Sequence, residues 1–212
     1  MGVTERKERN REDLKKRILE AAKELFMEKG FEATSMRNIA EKIDFSPTTL
    51  YIYYKDKNDI IYALHREGFK ILASRFKVLT KVENPFERLT AMGRIYIEFA
   101  LENADFYELM FVLKEPIEFL EKHCADEDWE EGTEAYYALY NTVVACQQTG
   151  YFKDMEPHGL SLSIWSTMHG LCTMKTHGQL DHVVKHKNIL PEVDNILEHV
   201  FESFVTMMKR MK

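Results

Sequence analysis

Apolar residues recur at steps of three and four along almost the whole chain, the spacing of helical faces rather than of strands. Leu14, Ile18, Ala21, Ala22, Leu25 and Phe26 form the first stripe. Gly30 follows it, as expected where a helix stops through positive φ. Thr34 and Ser35 offer caps for a second helix, Met36 to Ile43, with Met36, Ile39, Ala40 and Ile43 on its apolar face. Asp44-Phe45-Ser46 interrupts that face. Ser46 can cap a third helix, and Pro47 suits its first position because a proline has no N–H to leave unpaired there.

Longer helices follow. Asp56 caps one that carries Ile60, Ile61, Leu64, Phe69, Ile71, Leu72, Phe76 and Leu79, and Asn84-Pro85 opens another to about Glu102. Shorter segments run from Asp105 to Leu113 and from Pro116 to about Cys124. CADEDWEEG reads as an acidic loop. Helices then resume over Thr133–Gln148, Glu156–Gln179 and Leu190–Met211. The pattern predicts an all-α fold with no strand. A three-helix helix-turn-helix head, residues 1–56, is joined to a larger helical domain, residues 57–212, without a Gly/Ser spacer.

Composition changes this picture little. Of 212 residues, 45% are hydrophobic and 30% charged, enough apolar material for a sizeable core. No apolar run approaches the ~20 residues that cross a bilayer. The charged N-terminus lacks a secretory apolar stretch, so a cytoplasmic protein without membrane contact is expected. Cys124, Cys146 and Cys172 show no metal-finger spacing and read as free thiols in a reducing compartment. Charge narrows the choice further. The net value of −6 argues against a general polyanion binder. Residues 1–60 carry 13 Lys and Arg against 12 Asp and Glu, whereas the remainder carries 16 against 23. Any nucleic-acid contact therefore belongs to the head.

The head has chemistry for that contact. A helix-turn-helix needs small or apolar residues where its helices cross, here Ile39, Ala40, Ile43, Phe45 and Leu50, and a second helix whose start meets base edges. Pro47, Thr48 and Thr49 begin that helix, and threonine methyls can meet thymine methyls in the major groove. Thr34, Ser35 and the N–H groups opening the second helix can receive phosphate, and Arg37 can reach backbone or base. Tyr51, Tyr53 and Lys57 supply further phosphate contacts, while Tyr54 suits the head's interior. Asp44 takes the turn, where glycine is easiest, because Asp tolerates left-handed backbone better than most residues.

These residues resemble the DNA-binding domain of the TetR family of bacterial regulators. The match spans residues ~14–62 and is carried by Thr34, Ile39, Ala40, Ser46, Leu50, Tyr51, Tyr53, Tyr54 and Lys57, preceded by Phe26, Gly30 and Phe31. It departs at Asp44 and Thr48, where the family usually has glycine. Ile164–Gly178 resembles a Trp/His/Gly-containing helix of one subgroup, through Trp165, His169 and Gly170. The resemblance implies a ligand-responsive DNA-binding repressor, released from a palindromic operator by a small effector that shifts the helix after Lys57. It also implies a homodimer paired through helix 156–179 and the last helix, whose face shows Val193, Ile196, Leu197, Val200, Phe201, Phe204, Val205 and Met208.

A small, apolar effector would meet Tyr96, Phe99, Phe106, Met110, Phe111, Tyr136, Tyr140, Cys146, Trp165, Met168 and His169, an apolar set with a few polar anchors. Gly170 suits close approach of another helix. His182 and His186 have helix-face spacing but read as surface residues of a connecting loop, so no metal and no cofactor is expected. Nucleophile elbow, phosphate loop, di-metal and HExxH patterns are all missing, which leaves an all-helical enzyme as a remote alternative. A helical adaptor without DNA binding is the other.

Overall fold

The computed structural model describes residues 3–123, 130–187, 189 and 195–212. Among them are eleven α-helices and no strand. In order these are α1 (Val3–Lys29), α2 (Met36–Lys42), α3 (Pro47–Tyr51), α4 (Lys57–Val78), α5 (Pro85–Glu102), α6 (Ala104–Phe111), α7 (Glu115–His123), α8 (Glu130–Gln148), α9 (Pro157–Thr176), α10 (Gln179–Lys187) and α11 (Ile196–Lys209). Cys124, most of the expected acidic loop, and Leu190 to Val193 at the expected start of the last helix lie outside the described residues. No helix among the described residues is long and apolar enough to cross a membrane. Packing divides the chain into two compact units, Met1–Phe69 with Asp105–Trp129, and Lys70–Ala104 with Glu130–Lys212.

The first unit is built on the stripe of α1. Ile18, Ala21, Ala22, Leu25 and Phe26 are buried against Met36, Ile39, Ala40 and Ile43, against Leu50 and Tyr54, and against Ile60, Ile61 and Leu64 of α4. Leu109 of α6 joins the same core, a long-range pairing that no local pattern announces. Ala40 is fully buried, as a close crossing demands. Gly30 ends α1 at φ +81° with its N–H bonded 3.0 Å to the Phe26 carbonyl. Asp56 caps α4, its Oδ1 accepting from the N–H groups of Asn58 at 2.8 Å and Asp59 at 2.9 Å. α1 begins far earlier than Leu14, so the charged segment before that stripe is helical, with Arg6 and residues 8–13 exposed.

The α2–α3 turn uses a strained residue. Asp44 sits at φ 60°, a left-handed conformation that costs an L-residue about 1 kcal/mol and glycine nothing. Asp44→Gly is therefore expected to stabilise the unit by up to about 0.5 kcal/mol after the entropy glycine adds to the unfolded chain. A rise in the urea midpoint with unchanged slope is the measurement; a fall would mean that the Asp44 side chain itself holds the turn.

The second unit packs α5, α8 and α9 together, with Phe99, Val143, Cys146, Phe152 and Phe201 all at most 1% exposed. Asn84 caps α5, Glu156 caps α9 and Asn195 caps α11. Gly93 of α5 lies against Phe201 of α11, where an added Cβ would come within 2.7 Å of the ring. Arg94, next to it, donates to the carboxylates of Glu198 and Glu202 and places its guanidinium 5.0 Å from the Phe201 ring centre.

Several expectations change here. Glu130, Glu131 and Gly132 open α8 instead of lying in a loop, and Glu131 is buried with its carboxylate 3.5 Å from Lys70. α9 stops at Thr176, because Gly178 at φ +72° turns the chain into a separate helix, α10. His182 and His186 consequently lie on a helix and not in a loop. Among the described residues Gly170 is not at a crossing, since a Cβ there would meet none of them within 4 Å. Cys146 and Cys172 are buried free thiols, pushed by burial up to about 11 and about 12, so neither offers a thiolate at neutral pH.

Candidate nucleic-acid interface

α3 is a five-residue helix whose two sides differ sharply. Leu50 is fully buried, and Tyr54, four residues on, is 8% exposed. Burial pushes the Tyr54 phenol up to about 12, and its side chain serves the interior. The opposite side carries Thr48, Tyr51 and Ile52, all exposed, Tyr51 at 55% and Ile52 at 69%. Ile52 was not among the expected contacts. The signal for it was present: an aliphatic residue four positions after Thr48 and off the Leu50–Tyr54 stripe has no core to enter.

The start of the helix is rigidly held. The Ser46 hydroxyl accepts from the Thr49 N–H at 3.2 Å and lies 2.9 Å from the Thr49 hydroxyl, so Thr49 is partly engaged in capping. Pro47 at the first position fixes φ. From α1, Arg17 donates to the Ile43 carbonyl at 3.0 Å and stacks over Phe45 at 5.3 Å, bracing the turn. Arg11 lies 5.9 Å from the centre of the half-buried Tyr53 ring.

α2 begins with a reciprocal cap. The Ser35 hydroxyl accepts from the Asn38 N–H, and the Asn38 side-chain oxygen accepts from the Ser35 N–H. Arg37 is 78% exposed and paired with Glu41 at 2.8 Å. An exposed i,i+4 pair is worth about 0.5 kcal/mol, so a phosphate can take this guanidinium at small cost.

Two expected contacts are placed otherwise. Thr34 is 2% exposed and its hydroxyl points inward, donating to the Gly30 carbonyl at 2.9 Å with that of Leu25 at 3.2 Å. It is a strut that closes the α1–α2 connection. Lys57 donates to the Phe31 carbonyl at 2.9 Å and sits 4.2 Å from the Phe31 ring centre, with Glu32 at 3.8 Å. Its ammonium is thereby tied to the connection between α1 and α2, which explains its position without phosphate.

The expected effector residues are divided between the two units. Phe106, Met110 and Phe111 belong to the first unit. Met110 and Phe106 pack over Gly68, and Phe111 lies against Phe69 and Tyr107. In the second unit, the Tyr96 hydroxyl accepts from the Trp165 indole N–H at 3.2 Å and lies 3.5 Å from His169 Nδ1. Burial lowers the His169 pKa, which keeps that ring neutral at pH 7. Phe99 and Cys146 are fully buried, and Met168 nearly so. Tyr136 and Tyr140 form a third group on α8, around His158, which sequence reasoning did not single out. Tyr136 is hydrogen-bonded to His158 Nδ1 at 2.8 Å, and Tyr140 stacks on its ring at 4.2 Å. The described residues contain no cluster of three or more His, Cys, Asp or Glu able to hold a metal.

Comparison with known proteins agrees with this arrangement. The family description "Bacterial regulatory proteins, tetR family" matches residues 18–64, and "Tetracyclin repressor-like, C-terminal domain" matches residues 89–202. An HTH-type transcriptional regulator of Staphylococcus aureus (strain USA300) is 25% identical over 153 residues, covering 72% of this chain and 80% of that protein. Among solved structures, the fatty acid degradation regulator FadR from Bacillus halodurans superposes with a TM-score of 0.69 at 14% identity, covering 92% and 93% of the two chains. The ketosteroid transcriptional regulator KstR2 of Mycobacterium tuberculosis gives 0.66 at 17%, covering 92% of each. At such identities the two structures speak for the fold, while the two matched descriptions together take in the head and most of the second unit. The chain belongs to the TetR family of DNA-binding transcriptional regulators.

Proposed function

We propose that this regulator is a repressor that grips a palindromic operator as a homodimer and leaves it when a small apolar effector binds. The carrying observation is the division of α3 and the residues just after it into a buried side, Leu50 with Tyr54, and an exposed side of Thr48, Tyr51 and Ile52, with the helix capped at its start. Such a helix keeps its shape when it enters the major groove. Thr48 and Ile52 meet base edges and methyl groups there, and Tyr51 and Arg37 hold phosphate. DNA reading resides in residues 1–56, and effector binding and pairing in residues 57–212. Enzymatic chemistry has no part in this reading.

The test begins with selection of duplexes from a random pool. Enrichment of a two-fold symmetric site is expected. Against that site Tyr51→Phe should lose about tenfold in affinity, the worth of one hydrogen bond to a charged group, equally for all sequences. Thr48→Ala should change preference at one base position per half-site. A folded, dimeric protein that enriches no sequence would favour the adaptor reading instead.

Pairing through α9 and α11 is supported by what they leave uncovered. Leu162 at 47% and Met174 at 39% on α9, and Met207 at 50% on α11, are exposed apolar side chains. Gly170 faces open space on the same helix as the first two. Because the chain itself has room at that position, Gly170→Arg should fold normally. It should weaken the dimer about 100-fold or more by burying an unpaired charge in the pairing face. Light scattering across a dilution series reads this; an unchanged dimer places the pairing face elsewhere.

For the effector, the Tyr96, Trp165 and His169 group offers a polar anchor beside Phe99 and Met168. A hydrophobic compound that raises the melting temperature and releases DNA, with both effects reduced by Tyr96→Phe, is the expected finding. A screen in which no such compound does both removes the apolar-effector proposal.

A further inference from the structure

α10 carries two histidines one helical turn apart. His182 and His186 are both exposed, and their ring centres lie 4.3 Å apart. Residues four apart share one face of a helix, so the two imidazoles stand side by side on solvent. The spacing can be compared with what a metal ion requires. At an N–metal distance of ~2.1 Å, two imidazoles at right angles have ring centres ~4.5 Å apart, whereas tetrahedral ligands have theirs ~5.2 Å apart. The observed separation is near the first value.

We propose that His182 and His186 form an exchangeable bidentate site for a divalent transition ion of square or octahedral preference, Cu²⁺ or Ni²⁺ before Zn²⁺. Imidazole nitrogen suits these ions and excludes Mg²⁺ and Ca²⁺, which take oxygen ligands. Among the described residues no third His, Cys, Asp or Glu joins the pair, so in this proposal the two imidazoles are the ligands and water is free to take the remaining positions. Both rings are exposed, so a small rotation about each side-chain bond aims one nitrogen of each at a common point, without disturbing the core. The neighbouring Lys185 is exposed and adds positive charge, which limits the affinity. The ion would tie together two turns of α10, the short helix between the Gly178 turn and the segment leading to α11. This site owes nothing to the DNA-binding or effector readings, and its failure would leave them untouched.

The experiment is equilibrium dialysis of the full chain, without an affinity tag, against Ni²⁺ and separately Cu²⁺, with Mg²⁺ as control. One tighter-binding Ni²⁺ per chain is expected. His182→Ala and His186→Ala should each weaken it about tenfold or more, since the second ligand of a chelate acts at high effective concentration. Lys185→Ala should tighten it. In the Cu²⁺ complex, the electron paramagnetic resonance spectrum should show two equivalent nitrogens, reduced to one in either single variant. Affinity and spectrum unchanged in both histidine variants would overturn the proposal. So would a tight Mg²⁺ site competing with Ni²⁺.

Discussion

Leu50→Ala should cost the first unit about 3 kcal/mol and remove operator binding, although Leu50 touches no DNA. The residue is fully buried beneath the reading face, and its carbonyl also accepts the Tyr53 and Tyr54 N–H groups that close α3. Truncating a buried leucine loses its transfer free energy and leaves a cavity, together about 2–5 kcal/mol. α3 has only five residues, far below the length at which a helix holds itself, so its shape depends on that packing. The variant should show an early thermal transition for the first unit, with no measurable shift by operator duplex. Thr48→Ala, on the opposite side of the helix, should leave that transition in place while changing recognition. Full operator affinity in Leu50→Ala would mean that α3 is set by contacts other than its core.

The second large effect concerns Phe201. Its ring is 1% exposed, lies against Gly93, and carries the Arg94 guanidinium over one face. Phe201→Ala should cost about 3–5 kcal/mol. The glycine makes the test sharper. Gly93→Ala alone forces a methyl to within 2.7 Å of the Phe201 ring and should cost about 1–3 kcal/mol, despite alanine's better helix propensity. In the Phe201→Ala background the same change has room and should be neutral or stabilising. The double-mutant cycle therefore predicts a coupling well above the few tenths of a kcal/mol seen for independent sites. Additive costs would show that the two residues do not meet.

What was legible in the sequence was local. Ser46 before Pro47, Asn84 before Pro85, Gly30 after Lys29 and Asp56 before Lys57 all act through neighbours within four residues, and each ends or begins a helix where its chemistry directs. The assignment of Tyr54 to the interior came instead with the resemblance to the family's head. What was not legible needed distance. Thr34 closes onto carbonyls four and nine residues back, and Lys57 reaches a carbonyl 26 residues away. Both side chains could have met phosphate on local grounds alone. Apolar periodicity likewise showed that Phe106 and Phe99 are inward-facing, but not that one serves the first unit and the other the second. α10 was missed because Leu180, Val183 and Val184 supply only a short stripe after the Gly178 break.

The bonding of Lys57 bears on how the regulator searches a chromosome. A lysine held by a carbonyl and an aromatic ring displaces few counterions, and hydroxyl donors such as Thr48 and Tyr51 displace none. With the exposed Arg37 and Lys55 as the cations flanking the helix-turn-helix, the salt exponent of binding should be modest, about one for each of these contacts per half-site. Random duplex would then hold the protein weakly even in dilute buffer. Discrimination would rest on the fit of α3 rather than on retention by bulk charge.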